Sequence, residues 1–158
     1  MILNIDSTYR IVLFGHRDFH AHSLLDEKLF VLIRDLIVEK PFVEIYLGRN
    51  GEFDCYAASL IKRVQKAFGN ANSALICVLP YFDKNICYDE AYYDSIIIPA
   101  CLHNIHPKGA ITKRNRWMVE KADLFIGYIE HEKGGAYQAM KYAQKLKKPI
   151  INLAKRDI

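Results

Sequence analysis

RIVLFGHRDFHAHSLLDEKLFVLIRDLIVEKPFVEIYLG, residues 10–48, contains three elements in a fixed order. Arg10–Phe14 is a short apolar run that stops at Gly15, the pattern of a buried strand. Leu25, Leu29, Leu32, Ile33 and Leu36 then recur at i, i+4, i+7, i+8 and i+11, the stripe of an amphipathic helix. Ser23, with Asp26 three residues on, supplies a start signal, and Pro41 a stop. Phe42–Leu47 is again apolar and ends at Gly48. Strand, helix and strand at this spacing predict a βαβ unit, whose right-handed crossover makes the two strands parallel.

The alternation continues outward from this unit. Ala57, Leu60, Ile61, Val64, Ala67 and Phe68 form a second helical stripe, closed by Gly69-Asn70. Ala74–Leu79 reads as a third strand ended by Pro80, and Ser95–Ile98 as a fourth. A helix near Ile111–Ala122, a strand at Leu124–Ile129, a helix opened by Gly134-Gly135 and a strand at Pro149–Leu153 complete the chain. The expected fold is one doubly wound α/β domain over residues 1–158, its parallel sheet covered by helices on both faces.

Composition supports a packed domain. The 158 residues are 51% hydrophobic and 25% charged, which excludes a disordered or collagen-like chain. No apolar run reaches the roughly 18 residues of a membrane span, and no basic-then-apolar leader opens the sequence. A soluble cytoplasmic protein with no membrane partner is expected. Cys55, Cys77, Cys87 and Cys101 are scattered without metal-ligand spacing, so neither disulfides nor a structural metal are expected. The net charge of +4 is uneven: residues 1–106 carry ten basic and thirteen acidic residues, residues 107–158 twelve and five. Such a basic half suits phosphates, although Lys145, Lys147 and Lys148 also suit the negative end of a closing helix.

In a doubly wound sheet, ligands bind outside the carboxyl ends of the strands. Three Gly-bearing turns are expected there: Gly15-His16-Arg17-Asp18, Gly48-Arg49-Asn50-Gly51-Glu52 and Lys133-Gly134-Gly135. Glycine admits close approach of backbone N–H groups to an anion, and a following helix adds its dipole. None of the turns matches a dinucleotide-binding fingerprint or a Walker motif. Asn115 lies on the buried face defined by Ile111, Met118, Val119 and Ala122, where a polar side chain needs a partner. Its helix runs antiparallel to the strands, so Arg114 and Asn115 are expected near the same rim. His16, His20 and His22 share a loop but lack a completing ligand, so no metal is assigned. Tyr81, Phe82, Tyr88, Tyr92 and Tyr93, interleaved with acids, read equally as a lid over a base, as packing or as a subunit contact.

GHRDF (15–19), GRNGEFD (48–54), RNRWMVEKAD (114–123) and KGGAYQAMKYAQKLKKPIINL (133–153), in this order, resemble the SLOG superfamily. That Rossmann-like group contains DprA-type proteins and LOG phosphoribohydrolases, and its stand-alone YpsA-like branch is the most similar. The resemblance implies a nucleotide-derived small molecule over the strand ends, phosphate at the Gly134-Gly135 helix start, and a homo-oligomer. LOG enzymes carry RKxxM followed by PGGxGTxxE. Arg114, Met118, Gly134 and Gly135 match, but Tyr137 and Gln138 replace Gly and Thr, and Lys141 replaces Glu. Against the GYE arrangement of related deoxynucleotide N-glycosidases, the chain reads Ala136-Tyr137-Gln138. Glutamine serves as neither carboxylate base nor nucleophile.

Binding or sensing of an ADP-ribose, NAD or nucleoside phosphate ligand therefore leads, with no resident cofactor. Gly15, His16, Arg17, Gly48, Arg49, Asn50, Gly51, Asp54, Arg114, Asn115, Gly134 and Gly135 are the candidate contacts. An N-glycosidase acting on nucleoside 5′-monophosphates is the alternative, with Arg114 orienting phosphate and Glu52 or Asp54 as the carboxylate. Single-stranded nucleic acid is the least favoured partner, because the aromatic cluster falls in the acidic half.

Overall fold

A computed structural model describes residues 7–49, 51–69, 71–82 and 92–155. Its elements run β1 (Thr8–Gly15), α1 (Ser23–Glu39), β2 (Phe42–Leu47), α2 (Glu52–Phe68), β3 (Ser73–Val78), β4 (Ser95–Ile97), α3 (Pro107–Lys121), β5 (Leu124–Tyr128), α4 (Gly134–Lys145) and β6 (Ile150–Asn152). The strands form one six-stranded sheet in the order β4-β3-β2-β1-β5-β6, and every pair is parallel. The doubly wound α/β architecture read from the alternation is the one observed. Strand order reverses at β1: β2 lies on one side and β5 on the other, which opens a crevice between the carboxyl ends of β1 and β5.

Each face of the sheet has its own apolar layer. Alternate residues Ile11 and Leu13 of β1 pack with Leu25, Leu29 and Ile33 of α1 and Phe53, Ala57 and Leu60 of α2. The intervening Val12 and Phe14 face Met118 and Val119 of α3 and Ala139, Met140 and Ala143 of α4. Period-two alternation along buried strands thus sorts the helices, α1 and α2 on one face, α3 and α4 on the other.

Two helix starts differ from the sequence reading. His22, not Ser23, caps α1, its Nδ1 accepting from Leu25 N–H at 3.2 Å. α3 begins at Pro107, where a proline at the first position and His106 Nδ1, accepting from Lys108 N–H, start the helix sooner than the apolar stripe does. Arg114 therefore lies in the middle of α3 rather than in its first turn. Both caps are histidines, a residue outside the usual capping set, which is why the start signals pointed elsewhere.

Gly15 ends β1 against the fully buried ring of Phe53; a Cβ built on it would lie 2.1 Å from Phe53 Cγ. The ring cannot withdraw without disturbing the α1–α2 layer. Gly15→Ala is expected to cost about 1–3 kcal/mol of stability by overpacking, read as a lower urea midpoint at unchanged slope.

Candidate functional site

The carboxyl rim is organised by one buried guanidinium. Arg114 is 5% exposed, its Nη1 donating to the Val78 carbonyl at the end of β3 (3.1 Å) and its Nε to Asn115 Oδ1 (3.0 Å). A Cβ on Gly48 would lie 3.1 Å from Arg114 Nη1 and 3.2 Å from Asp54 Oδ2, so both side chains lean over this glycine. Burial pulls the Arg114 guanidinium below its ordinary value, and the nearby Asp54 carboxylate pulls it back. An arginine side chain stays protonated in a protein, so the rim carries a fixed, desolvated positive charge. The reach of this side chain, rather than the first turn of α3, brings it to the strand ends.

The Arg114 Nε–H bond also decides how Asn115 points. With Oδ1 committed as acceptor, the amide must present Nδ2 on its other side. That nitrogen lies 3.5 Å from where a Cβ on Gly135 would stand, at the opening of α4. Asn115 is 8% exposed. The helix it faces begins without a side-chain cap at Lys133, and Gly134 has φ +91° with nothing within 4 Å of its Cβ direction. Uncapped N–H groups, an open approach and a buried amide donor therefore converge on one point. A cleft of about 490 Å³ leads from it between α3 and α4, lined by Thr112, Asn115, Arg116, Gly135, Gln138, Lys141 and Lys145 among others. Its described lining holds three cations and no carboxylate. Thr112 stands one turn before Asn115 and Gln138 one turn after Gly135, so helical spacing from those two residues would have found them.

The other expected residues fall into two groups. His16 spans the crevice where strand order reverses: its Nε2 accepts from the backbone N–H of Glu130 (2.9 Å) and of His131 (3.1 Å). It thereby fixes the β5–α4 loop that delivers Gly134 and Gly135. Arg17, Asp18, Arg49, Gly51, Glu52 and Cys55 line a separate cleft of about 520 Å³. Here Glu52 N–H donates to Arg17 O at 3.1 Å, and Glu52 Oε2 accepts from Phe19 N–H at 3.2 Å. Of the two carboxylates, Asp54 stands against the Arg114 cluster, while Glu52 staples the β1 and β2 loops together. Asn50 and Tyr88 lie outside the described residues. Tyr93 belongs to the core layer shared by α1 and α2, whereas Tyr81, Phe82 and Tyr92 are exposed. Lys148, just beyond α4, donates from Nζ to the Glu120 carbonyl at the end of α3 (3.1 Å) and from its backbone N–H to Ala143 O in the last turn of α4 (3.0 Å).

No protein family matches the sequence, and no curated protein matches it. Solved structures do. DprA from Helicobacter pylori, described for its single-stranded DNA binding mode, superposes with TM-score 0.66 at 19% identity, over 96% of this chain and 67% of that one. DprA from Streptococcus pneumoniae gives 0.63 at 14% identity, over 90% of this chain and 49% of that one, so this chain spans about half of it. The molybdenum cofactor carrier protein of Chlamydomonas reinhardtii gives 0.60 at 15% identity, over 94% and 78%. The chain has the Rossmann-like fold of DprA. At these identities the likeness is one of fold.

His16 makes its two bonds only while Nε2 is unprotonated. Burial lowers its pKa below the ordinary 6.5, with His131 adding to the effect and Glu130 opposing it. The unfolded chain therefore takes up this proton first as pH falls, so the contribution of His16 is present above pH 6.5 and is lost on acidification through the lower folded-state value. His16→Gln offers an amide oxygen that does not titrate. Thermal melts between pH 7.5 and 5 should show a shallower loss of stability in that variant, and parallel curves would contradict the bond assignment.

Proposed function

We propose that this protein binds a nucleotide-derived ligand of the ADP-ribose, NAD or nucleoside phosphate class, with phosphate at the start of α4. The observation that carries this reading is Asn115, a buried amide held by Arg114 so that its donor faces the uncapped Gly134-Gly135 turn. Phosphate there would accept from backbone N–H groups and from Nδ2, with Lys141 and Lys145 along the cleft adding long-range attraction. The motif order that resembles the SLOG superfamily, and its YpsA-like branch in particular, supports the same reading. So does the fold shared with a DNA-binding DprA and a cofactor carrier.

Binding is favoured over N-glycosidic hydrolysis by the chemistry of the cleft. Lys141, at the position where LOG enzymes carry Glu, lines it as an ammonium, and Glu52 is committed to the Phe19 backbone. A thermal-shift screen against ADP-ribose, NAD and nucleoside monophosphates, each mixture then checked for free base, separates the two. A ligand at 100 times its Kd should add about 2.7 kcal/mol of stability without release of base; release of base would give the hydrolytic reading first place. Gly135→Asp fits sterically, since its Cβ meets Asn115 Nδ2 at ordinary contact distance. It sets a carboxylate where the phosphate belongs and should abolish the calorimetric signal while leaving the melt in place; unchanged affinity would contradict the assignment.

A second reading, single-stranded nucleic acid, gains one observation. The structure sets Trp117 and Tyr142 together with Lys113 and Arg116 along a groove of about 690 Å³ on the α3–α4 face. Arg116 lies 5.3 Å over the Tyr142 ring and Lys121 5.9 Å over Trp117. Aromatics and cations thus share one surface, as strand-binding platforms require. Four phosphate contacts there would give a slope of about −3 in log K against log salt; affinity indifferent to salt would exclude it.

A further inference from the structure

One phosphate at the start of α4 fills only the end of the cleft that leads away from it. That cleft, about 490 Å³ between α3 and α4, has the size of a small-molecule site. Beyond Gly135 the α4 residues that line it include Gln138, Lys141 and Lys145, about 4.5, 9 and 15 Å further along the helix axis. Arg116 lines it from α3. Helical side chains lean toward the N-terminus of their own helix. The ammonium groups of Lys141 and Lys145 therefore cover the turns before them, on the side of the Gly134-Gly135 opening.

These cations have no counter-charge in the chain. Among the described residues, neither Lys141 nor Lys145 has a hydrogen-bond or ion-pair partner. They stand four residues apart on one face, a like-charge spacing that destabilises a helix. Lys145 complements the negative end of α4, but Lys141 lies before the last turn. Lys141 also borders a polar cleft lined by Glu130 and Glu132, and makes an ion pair with neither. Glu120 accepts from the Tyr142 hydroxyl and lines the neighbouring groove instead. The cleft is equally ill-suited to a second nucleoside. Of its described lining only Tyr142 is aromatic, and Arg116 already lies 5.3 Å over that ring.

We propose that the ligand is a nucleoside di- or triphosphate, its first phosphate at the α4 start and the following ones in the cleft against Arg116, Lys141 and Lys145. This ligand class rests on the phosphate position proposed above, and it selects a free phosphate chain over the bridged pyrophosphate of NAD or ADP-ribose. A terminal phosphate carries about −1.5 to −2 charges at neutral pH, so it gains most from three cations with no carboxylate among them. The Thr112 hydroxyl adds a neutral donor on the same wall. Repulsion between the two lysines then becomes attraction to a shared anion.

Calorimetric titration with the mono-, di- and triphosphates of each common nucleoside tests this, in EDTA so that no divalent cation shields the phosphates. Affinity should rise about tenfold or more from mono- to diphosphate, as new charge-assisted hydrogen bonds form. Combining Lys141→Gln with Lys145→Gln should bring the ratio of the two affinities close to one. Lys66→Gln, exposed at the end of α2 on the other face of the sheet, should preserve that ratio. Di- and triphosphates that bind no tighter than a monophosphate would overturn the proposal yet leave the α4 phosphate position standing, which Gly135→Asp checks on the monophosphate alone. A gain that survives the double substitution, or that Lys66→Gln removes equally, would overturn it as well. Should no member of the series bind, the phosphate position and the chain beyond it fall together.

Discussion

A guanidinium with 5% exposure at the end of a parallel sheet is an expensive thing to keep in place. Desolvating such an ion costs several kcal/mol, and the cost is offset only where hydrogen bonds and an opposite charge surround it. Here the surroundings dictate much of the rim. The Val78 carbonyl and Asn115 Oδ1 take two of its N–H groups, and Asp54 stands over the same glycine. Gly48 has no room for a larger side chain without displacing one of the two charged groups. Through these contacts α3 is tied to the ends of β2 and β3, and the amide of Asn115 is fixed toward α4. The open helix start has a buried donor beside it because the arginine holds that donor there.

The two faces of the sheet divide the chemistry. The acidic first half of the sequence supplies α1 and α2, and the basic second half α3 and α4. A charge asymmetry along the chain is thus an asymmetry in space. The α3–α4 face carries cations, two half-buried aromatics and the cleft that leads to the α4 start. The α1–α2 face carries the exposed apolar side chains Leu24, Val31 and Val38 among charged residues. Between them, His16 holds the β5 loop across the crevice through an unprotonated ring nitrogen, coupling the geometry of the α4 start to β1.

The fold was legible because buried parallel strands and amphipathic helices each impose their own period, and both periods recur cleanly in this sequence. Helix starts were less legible, since His22 and His106 do the work usually given to Ser, Thr, Asp or Asn. Asn115 stood out as a polar residue on an apolar stripe, and the Gly134-Gly135 turn as a helix opening, so both could be named as candidates from periodicity and turn chemistry. Which partner Asn115 would take could not, because Arg114 is its neighbour in sequence and helical geometry sends adjacent side chains about 100° apart. Only the length of the arginine side chain brings its Nε back to Oδ1. The bond from His16 to a loop more than a hundred residues away depends on strand order, which a single sequence does not encode in any local pattern. Gly15 was read as an anion-approach glycine; its tight packing on Phe53 is a feature of the α2 layer that no turn motif announces.

The account's central claim is that an anion sits where Asn115 Nδ2 and the first N–H groups of α4 converge. The most direct measurement is a ¹⁵N-resolved NMR titration of the chain with ADP-ribose or a nucleoside monophosphate. The claim predicts that the backbone amides of Gly134 and Gly135 and the side-chain amide of Asn115 shift together, with one saturating dependence on ligand. Shifts confined to the Arg17–Arg49 cleft or to the outer α3–α4 groove, with those three signals unmoved, would contradict it.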